Sequence, residues 1–307
     1  MILIKKLFKL VREPKRIVYA LMCRGFVNWL SEKYLVKLQY ECLTGKTLDL
    51  QSPITFNEKL QWLKIYGNNE NYSSLVDKYE VRKYISEKIG EKYLIPLIDM
   101  GGKFIVNKFE EIDFNKLPEQ FVLKCTHDSG TVEICKNKEY FDLNAAKKRM
   151  NKRMKLNYFY INRESEYKNI NPKIICEKYM VDESETELKD YKIFCFNGVP
   201  RIIQVDYNRF INHKRNIYDS NWNFINASIK FPNDPDRKIN RPNKLDEMLD
   251  IAKTLSKGHS HVRVDLYLVY DKIYFGELTF THGGGFEKFD PEEFGYQMGN
   301  WIELSSQ

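Results

Sequence analysis

The sequence predicts an α+β fold with helices gathered toward its N-terminal end. Three observations lead there. Up to about residue 70, apolar positions recur at helical spacing. Beyond residue 93, short runs rich in β-branched and aromatic residues replace them. Two pairs of these runs flank tight turns, Asn197-Gly198 and Tyr270-Asp271, which signals antiparallel hairpins rather than parallel crossovers.

Taken in order, the first well-marked helix starts near Thr55. Thr55-Phe56-Asn57-Glu58 has the form of a capping box, and Phe56, Leu60 and Leu63 follow as one apolar stripe. Asp77 to Ile89 reads as a second helix stopped by Gly90. Tyr93 to Asp99 is expected to be a strand, as are Phe121 to Cys125 and Lys173 to Glu177. Phe141 to Asn157 is expected to be a basic helix. Asp190 to Phe196 and Pro200 to Val205 form the first hairpin, and Val262 to Val269 and Lys272 to Leu278 the second. Between them, Lys244 to Lys257 places Leu245, Met248, Leu249, Ala252 and Leu255 on one helical face.

Composition narrows the function classes. The 307 residues are 43% hydrophobic and 30% charged, as in a globular protein of two or three packed units. Lys and Arg interrupt every apolar run, so no bilayer span is expected, and Met1 to Leu10 lacks the form of a secretory signal. The six cysteines have no CxxC spacing and are expected to be buried free thiols in a reducing cytoplasm. Lys5, Lys6, Lys9, Arg12, Lys15, Arg16 and Arg24 crowd the N-terminus, with Ile4, Leu7, Phe8 and Val11 interleaved at helical spacing. Such a stretch suits peripheral contact with the inner face of a membrane, or equally a solvated helix on its own domain. No module signature accompanies the net charge of +7, so no nucleic-acid partner is expected.

Three features bear chemistry. In the last hairpin, Arg263 and Asp265 share a strand face, as do Glu277 and Thr279, so Asp265 and Glu277 can converge. Paired carboxylates at that distance suit Mg²⁺, unless they are ordinary surface acids. Lys124 precedes Thr126-His127-Asp128-Ser129-Gly130-Thr131, a strand Lys ahead of a small loop whose N–H groups can hold phosphate. Glu177 ends a strand, and Asp190 and Lys192 share a face downstream, placed to meet adenine, ribose or phosphate, or simply solvated. Neither a Walker A motif nor a GxGxxG is present.

The order of these features resembles the ATP-grasp superfamily, and more closely the TupA-like ATP-grasp family of bacterial surface-polysaccharide gene clusters. The resemblance rests on Thr55 to Leu63, Phe121 to Gly130, Cys176 to Tyr179, Asp190 to Gly198, Val262 to Tyr267 and Phe275 to Gly285. It implies an ATP-grasp fold, two α+β subdomains sandwiching ATP behind an N-terminal helical region. The expected division is 1–75 helical, 76–175 small subdomain with the Lys-loop, and 176–307 C-terminal subdomain with the metal site. It implies ATP contacts from Lys78, Lys124, Asp128, Ser129, Gly130, Thr131, Glu177, Tyr179, Asp190 and Lys192. It implies Mg²⁺ on Asp265, Glu277 and Thr279, and charge stabilisation in the transition state by Arg263. The chain departs from the superfamily's Glu-x-Asn at Glu277-Leu278-Thr279, where a hydroxyl replaces a better metal ligand.

The implied activity is an ATP-dependent carboxylate–amine ligase, joining a sugar carboxylate such as a uronic acid to an amine through an acylphosphate. His127 and His282 sit beside the phosphate loop and the metal strand, to handle protons, bind phosphate or make structural hydrogen bonds. His259-Ser-His261 is expected at the surface, without metal. A different class, a nucleotide-sugar glycosyltransferase, would instead use Asp234-Pro235-Asp236 as a DxD metal site.

Overall fold

The computed structural model describes residues 14–67, 69–182, 188–207 and 212–304. The basic stretch from Met1 to Glu13 lies outside the described residues. The helical start comprises α1 (Pro14–Met22), α2 (Glu32–Thr44), α3 (Phe56–Tyr66), α4 (Ser73–Val76) and α5 (Val81–Lys88). Then follow β1 (Ile105–Val106), β2 (Phe121–Cys125), β3 (Val132–Cys135), α6 (Leu143–Arg153), α7 (Phe159–Asn162) and β4 (Ile174–Lys178). The C-terminal part holds β5 (Asp190–Phe196), β6 (Val199–Tyr207), β7 (Lys214–Asp219), β8 (Phe224–Ile225), β9 (Ser228–Ile229) and α8 (Leu245–Ser256). It ends with β10 (His261–Val269), β11 (Lys272–Thr279), β12 (Phe289–Asp290) and α9 (Glu292–Asn300).

Thr55 caps α3 as the sequence predicts: its Oγ1 accepts from Glu58 N at 3.3 Å, and Glu58 Oε2 accepts from Thr55 N at 2.9 Å. α5 starts later than expected, because Asp77 Oδ1 takes the N–H groups of Tyr79 and Glu80 in a turn of its own. The Tyr93–Asp99 segment is a correction. It forms no named strand. Glu91–Tyr93 is a 3₁₀ turn, and the residues after it lie along β4 through one bridge, Leu97 to Glu177. Pro96 has no N–H to extend that ladder and only accepts, from Lys178 N at 3.0 Å.

Two sheets organise the rest. The smaller has strand order β1-β4-β2-β3, and the larger β11-β10-β5-β6-β7-β8, antiparallel throughout. In β2, Phe121, Leu123 and Cys125 point into a core with Ala146 and Met150 of α6. That leaves Lys124 on the opposite face. In the larger sheet, Ile193, Ile203, Val262 and Val264 pack on α8, whose Met248, Ala252 and Leu255 are fully buried. The other face divides along its length. At one end Phe194, Phe196 and Ile202 pack on Phe56 and Leu60 of α3 and Phe294 and Met298 of α9. At the other end the same face turns polar.

Cys125, Cys135, Cys176 and Cys195 are buried free thiols, whereas Cys23 and Cys42 are only half-buried. His261 corrects the surface expectation. It is buried against Phe56 and Phe196, and its Nδ1 lies 3.0 Å from the Cys195 carbonyl. Burial pushes its pKa down to about 3, so it stays neutral. No described helix is long and apolar enough to cross a membrane.

Candidate nucleotide and metal site

The polar half of the larger sheet is built row by row from strand register. Residues paired across antiparallel strands share a face. One row reads Glu277–Asp265–Lys192–Gln204, the next Asp190–Asp206–Arg215. The row bordering the apolar half reads Thr279–Arg263–Phe194–Ile202.

Arg263 is the centre of this network. Its Nε and one terminal nitrogen donate to the two oxygens of Asp265 at 2.6 and 2.7 Å. The same terminal nitrogen reaches Glu277 Oε1 at 2.8 Å, and the other donates to His282 Nδ1 at 2.7 Å. Lys192 pairs with Asp190 and lies 3.2 Å from Asp265 Oδ2. Thr279 Oγ1 donates to Glu277 Oε1 at 3.2 Å, which makes it a support for that carboxylate.

Asp190, Asp265 and Glu277 face Lys192 and Arg263, all but Glu277 buried. Burial and the neighbouring carboxylates hold Asp265 above its ordinary value in spite of both cations. Glu277 shows the opposite balance: burial pushes it up, but Arg263, Lys78 and Lys192 together hold it below the usual range. Two hard carboxylates paired on registered strands, Asp265 and Glu277, are oxygen donors of the kind Mg²⁺ takes, and they are the residues that could hold it. His282 is fixed as the neutral tautomer that accepts from Arg263, with burial and the guanidinium holding its pKa well below normal.

The smaller sheet presents the complementary charge. Lys124 pairs with Glu177 of β4 at 2.6 Å. Lys78 N–H donates to the Thr126 carbonyl at 3.1 Å and its ammonium to the Asp128 carbonyl, tying it to the Lys-loop. Lys78, Arg82, Lys124 and Glu177 line a small cavity of about 10 Å³ closed by Phe275 and Gly276 of β11. Lys124 of the smaller sheet, with Lys78 and Arg82 at the start of α5, thus meets the carboxylate hairpin of the larger sheet. A larger cavity, about 690 Å³, lies at the far end of β4 against Pro96, Gln120, Lys178 and Tyr179. It contains none of the Arg263 network, and Tyr179 faces it two residues past Glu177.

The loop after Lys124 is clasped by a residue the sequence reading missed. Arg153 Nε donates to Asp128 Oδ2 and Thr131 Oγ1, both at 2.8 Å, and a terminal nitrogen to the Ser129 carbonyl at 3.3 Å. Thr131 also donates to Asp128 at 2.5 Å. Gly130 sits at φ 92°, where a side chain would be strained. His127 is buried with Nε2 3.2 Å from the Arg153 carbonyl, and burial lowers its pKa. It supports the loop from behind and takes no part in the Arg263 network. Asp206 and Arg215, paired at 2.6 Å, were likewise missed. The DxD pattern finds no support in its surroundings: Asp234 spends its N–H and carbonyl on Asn216, and Asp236 is exposed. Among the described residues no group of three or more His, Cys, Asp or Glu is placed to hold a metal ion, at the DxD loop or at the hairpin.

Two antiparallel sheets with Lys-bearing strands on one and a carboxylate hairpin on the other define a nucleotide-grasping α+β protein. The chain belongs to the TupA-like ATPgrasp family, whose model matches residues 58–303. No curated protein matches the sequence. Among solved structures it is similar to D-alanine–D-alanine ligase from Bacillus anthracis complexed with ATP, at 17% identity and TM-score 0.40, covering 67% of this chain and 54% of that one. D-alanine–D-alanine ligase from Helicobacter pylori matches at 14% identity and TM-score 0.40, covering 80% and 69%. A RimK-domain ATP-grasp protein from Sphaerobacter thermophilus matches at 8% identity and TM-score 0.41, covering 80% and 76%. This chain spans little more than half the length of the first of these.

Proposed function

We propose that this protein is an ATP-dependent carboxylate–amine ligase that activates a sugar carboxylate, such as a uronic acid, for amide formation in surface-polysaccharide synthesis. The observation that carries the reading is the meeting of Lys78 and Lys124 with the Asp265–Glu277 hairpin across one seam. The substrate class follows from family resemblance.

In this reading Lys78, Lys124 and the N–H groups of residues 128–131 neutralise and position the triphosphate. Asp265 and Glu277 would hold Mg²⁺, which would supply neutralisation of phosphate charge. Arg263 is oriented by Asp265 and His282 so that its guanidinium meets charge developing on the transferred phosphoryl group. A substrate carboxylate oxygen attacks the γ-phosphorus, and ADP leaves. The amine then attacks the acyl carbon, phosphate departs and the amine loses a proton. No protein nucleophile is needed, and burial pushes the thiols of Cys125, Cys176 and Cys195 up to about 12, away from reactivity. A cavity of about 10 Å³ is far below the several hundred a nucleotide needs, so the seam between the sheets widens on binding.

The test is ATP binding and Mg²⁺-dependent ADP release over a panel of uronic acid glycosides and amines. Amide product with one pair, lost in Asp265→Asn and Glu277→Gln, is the expected result. Absence of ATP binding by the wild type overturns the reading. UDP-sugar turnover lost on Asp236→Ala would favour the glycosyltransferase.

A further inference from the structure

The turn after α1 carries large apolar side chains into solvent. α1 ends with Gly25 at φ 76°, its N–H donating to the Met22 carbonyl at 2.9 Å and the Phe26 N–H to the Leu21 carbonyl at 3.0 Å. This pair of bonds is a Schellman closure, and it folds the chain back so that Phe26 sits beside Leu21. Leu21 lies one turn on from Ile17 along the helix, so the three form a continuous row. The opposite side of α1 is spent on the core: Met22, with Val18 and Tyr19, packs on Val27 and Leu35. Ile17 and Leu21 are 39% and 37% exposed, Phe26 66% and Trp29 80%. Lone exposed apolar residues are ordinary, but four large ones within one short helix and the turn that follows it mark an interaction surface.

The charges around this row select its partner. Arg24 and Lys33 are exposed, whereas Lys37 faces Asp49. The acids of the same stretch are committed elsewhere, Glu32 to Arg163 and Glu41 to Lys15. The rim therefore offers positive charge to anything that docks. A second copy would bring the same charge against itself. We infer that this face docks on an anionic membrane surface, with Trp29 at the headgroups, Phe26, Leu21 and Ile17 at the acyl boundary, and Arg24 and Lys33 on lipid phosphates. This surface is independent of the nucleotide site.

The test is co-sedimentation of the full chain with phosphatidylcholine vesicles, with and without phosphatidylserine. The chain should sediment with the anionic vesicles only, release with salt, and show Trp fluorescence quenched by brominated lipid. Phe26→Ser with Trp29→Ser should weaken binding roughly ten-fold or more, with ATP binding and thermal midpoint unchanged. Arg24→Glu with Lys33→Glu should remove the preference for anionic lipid. Failure to sediment with anionic vesicles overturns the inference, and so does wild-type binding by the Phe26/Trp29 variant. Analytical ultracentrifugation gives the remaining outcome: a wild-type dimer that this variant converts to monomer assigns the face to a second copy and overturns the membrane reading.

Discussion

Replacing Arg263 by Leu tests whether the buried network is held by that one guanidinium. The side chain makes four hydrogen bonds, two to Asp265, one to Glu277 and one to His282. Without it Asp265, 2% exposed, keeps only Lys192 at 3.2 Å, and Lys192 is already shared with Asp190. Removing one partner of a buried ion pair leaves an uncompensated charge and costs about 3–5 kcal/mol. A second variant separates this cause from lost packing: Arg263→Leu with Asp265→Leu removes both charges and should recover most of the deficit. The assay is urea denaturation of the single and double variants against wild type, followed by far-UV circular dichroism. A single-variant loss under about 1 kcal/mol would refute the claim that Arg263 compensates Asp265, since that is the size of an exposed pair. A double variant no more stable than the single one would refute it as well. Neither variant should turn over ATP.

Other consequences are equally open to measurement. Glu166 is fully buried, and its Oε1 accepts from Thr281 at 3.1 Å. Burial, with Glu164 beside it, pushes its pKa from 4.5 up to about 8. The folded state therefore keeps a proton that the unfolded chain has lost, so its contribution is full below pH 4.5 and fades as pH rises to about 8. Glu166→Gln should flatten the stability profile in that window, and an unchanged slope would contradict the assignment. Gly276 is tightly enclosed, since a Cβ there would lie 3.0 Å from both the Asp265 carbonyl and the Tyr267 ring, close enough that one of them must give. Gly276→Ala should cost about 1–3 kcal/mol by overpacking and displace Asp265, lowering ATP turnover; full stability and activity would count against a tight hairpin. Arg153→Ala frees residues 128–131 from their three contacts, so amide exchange there should quicken and the KM for ATP rise with little change in global melting. Unaltered exchange would show the clasp to be idle.

What the sequence made legible was whatever depended on near neighbours. The Thr55 box, the two hairpin turns and the α8 stripe are local patterns with local causes, and each stands where the pattern puts it. The pairing of Asp265 with Glu277 is more instructive. Counting outward from Val269 and Lys272, regular register sets Asp265 opposite Gly276 and turns Glu277 to the other face. A β-bulge between Asp265 and Leu266 adds one residue to β11 and restores Glu277 to its partner. Gly276 is the residue squeezed into that bulge, and it was the sign available in the sequence. Arg153 and Lys64 left no comparable sign. A Lys on a helix reads as solvated, yet Lys64 is buried because the carbonyls of Asn162 and Gly284 converge on it at 2.8 and 2.6 Å. Those carbonyls come from segments about 100 and 220 residues away, beyond the reach of any periodicity. The strand expected at Tyr93–Asp99 failed for a smaller reason, one proline in the ladder.

The division of one sheet face into apolar and charged halves explains why the site is stiff. Alternation has period two, so β5 carries Phe196 and Phe194 on the same face as Lys192 and Asp190, and β6 carries Ile202 with Gln204 and Asp206. The aromatic half is locked by α3 and α9, where Phe56, Phe194 and Phe196 are almost fully buried. The charged half inherits that rigidity through unbroken strands. Arg263 stands at the border, paired with Phe194 on one side and one step from Asp265. Its stem rests on packed core while its fork reaches carboxylates in a medium of low dielectric, where each bond is stronger than in water. A guanidinium so placed loses little entropy when charge appears opposite it, because its geometry is already fixed. The consequence is directional: weakening the aromatic half, as in Phe194→Ala, should loosen Arg263 and depress turnover at saturating ATP while leaving ATP affinity, in the proposed reading carried by Lys78 beside the Lys-loop and Lys124 of β2, near its wild-type value. Equal losses in both would show that the face does not act as the support of Arg263.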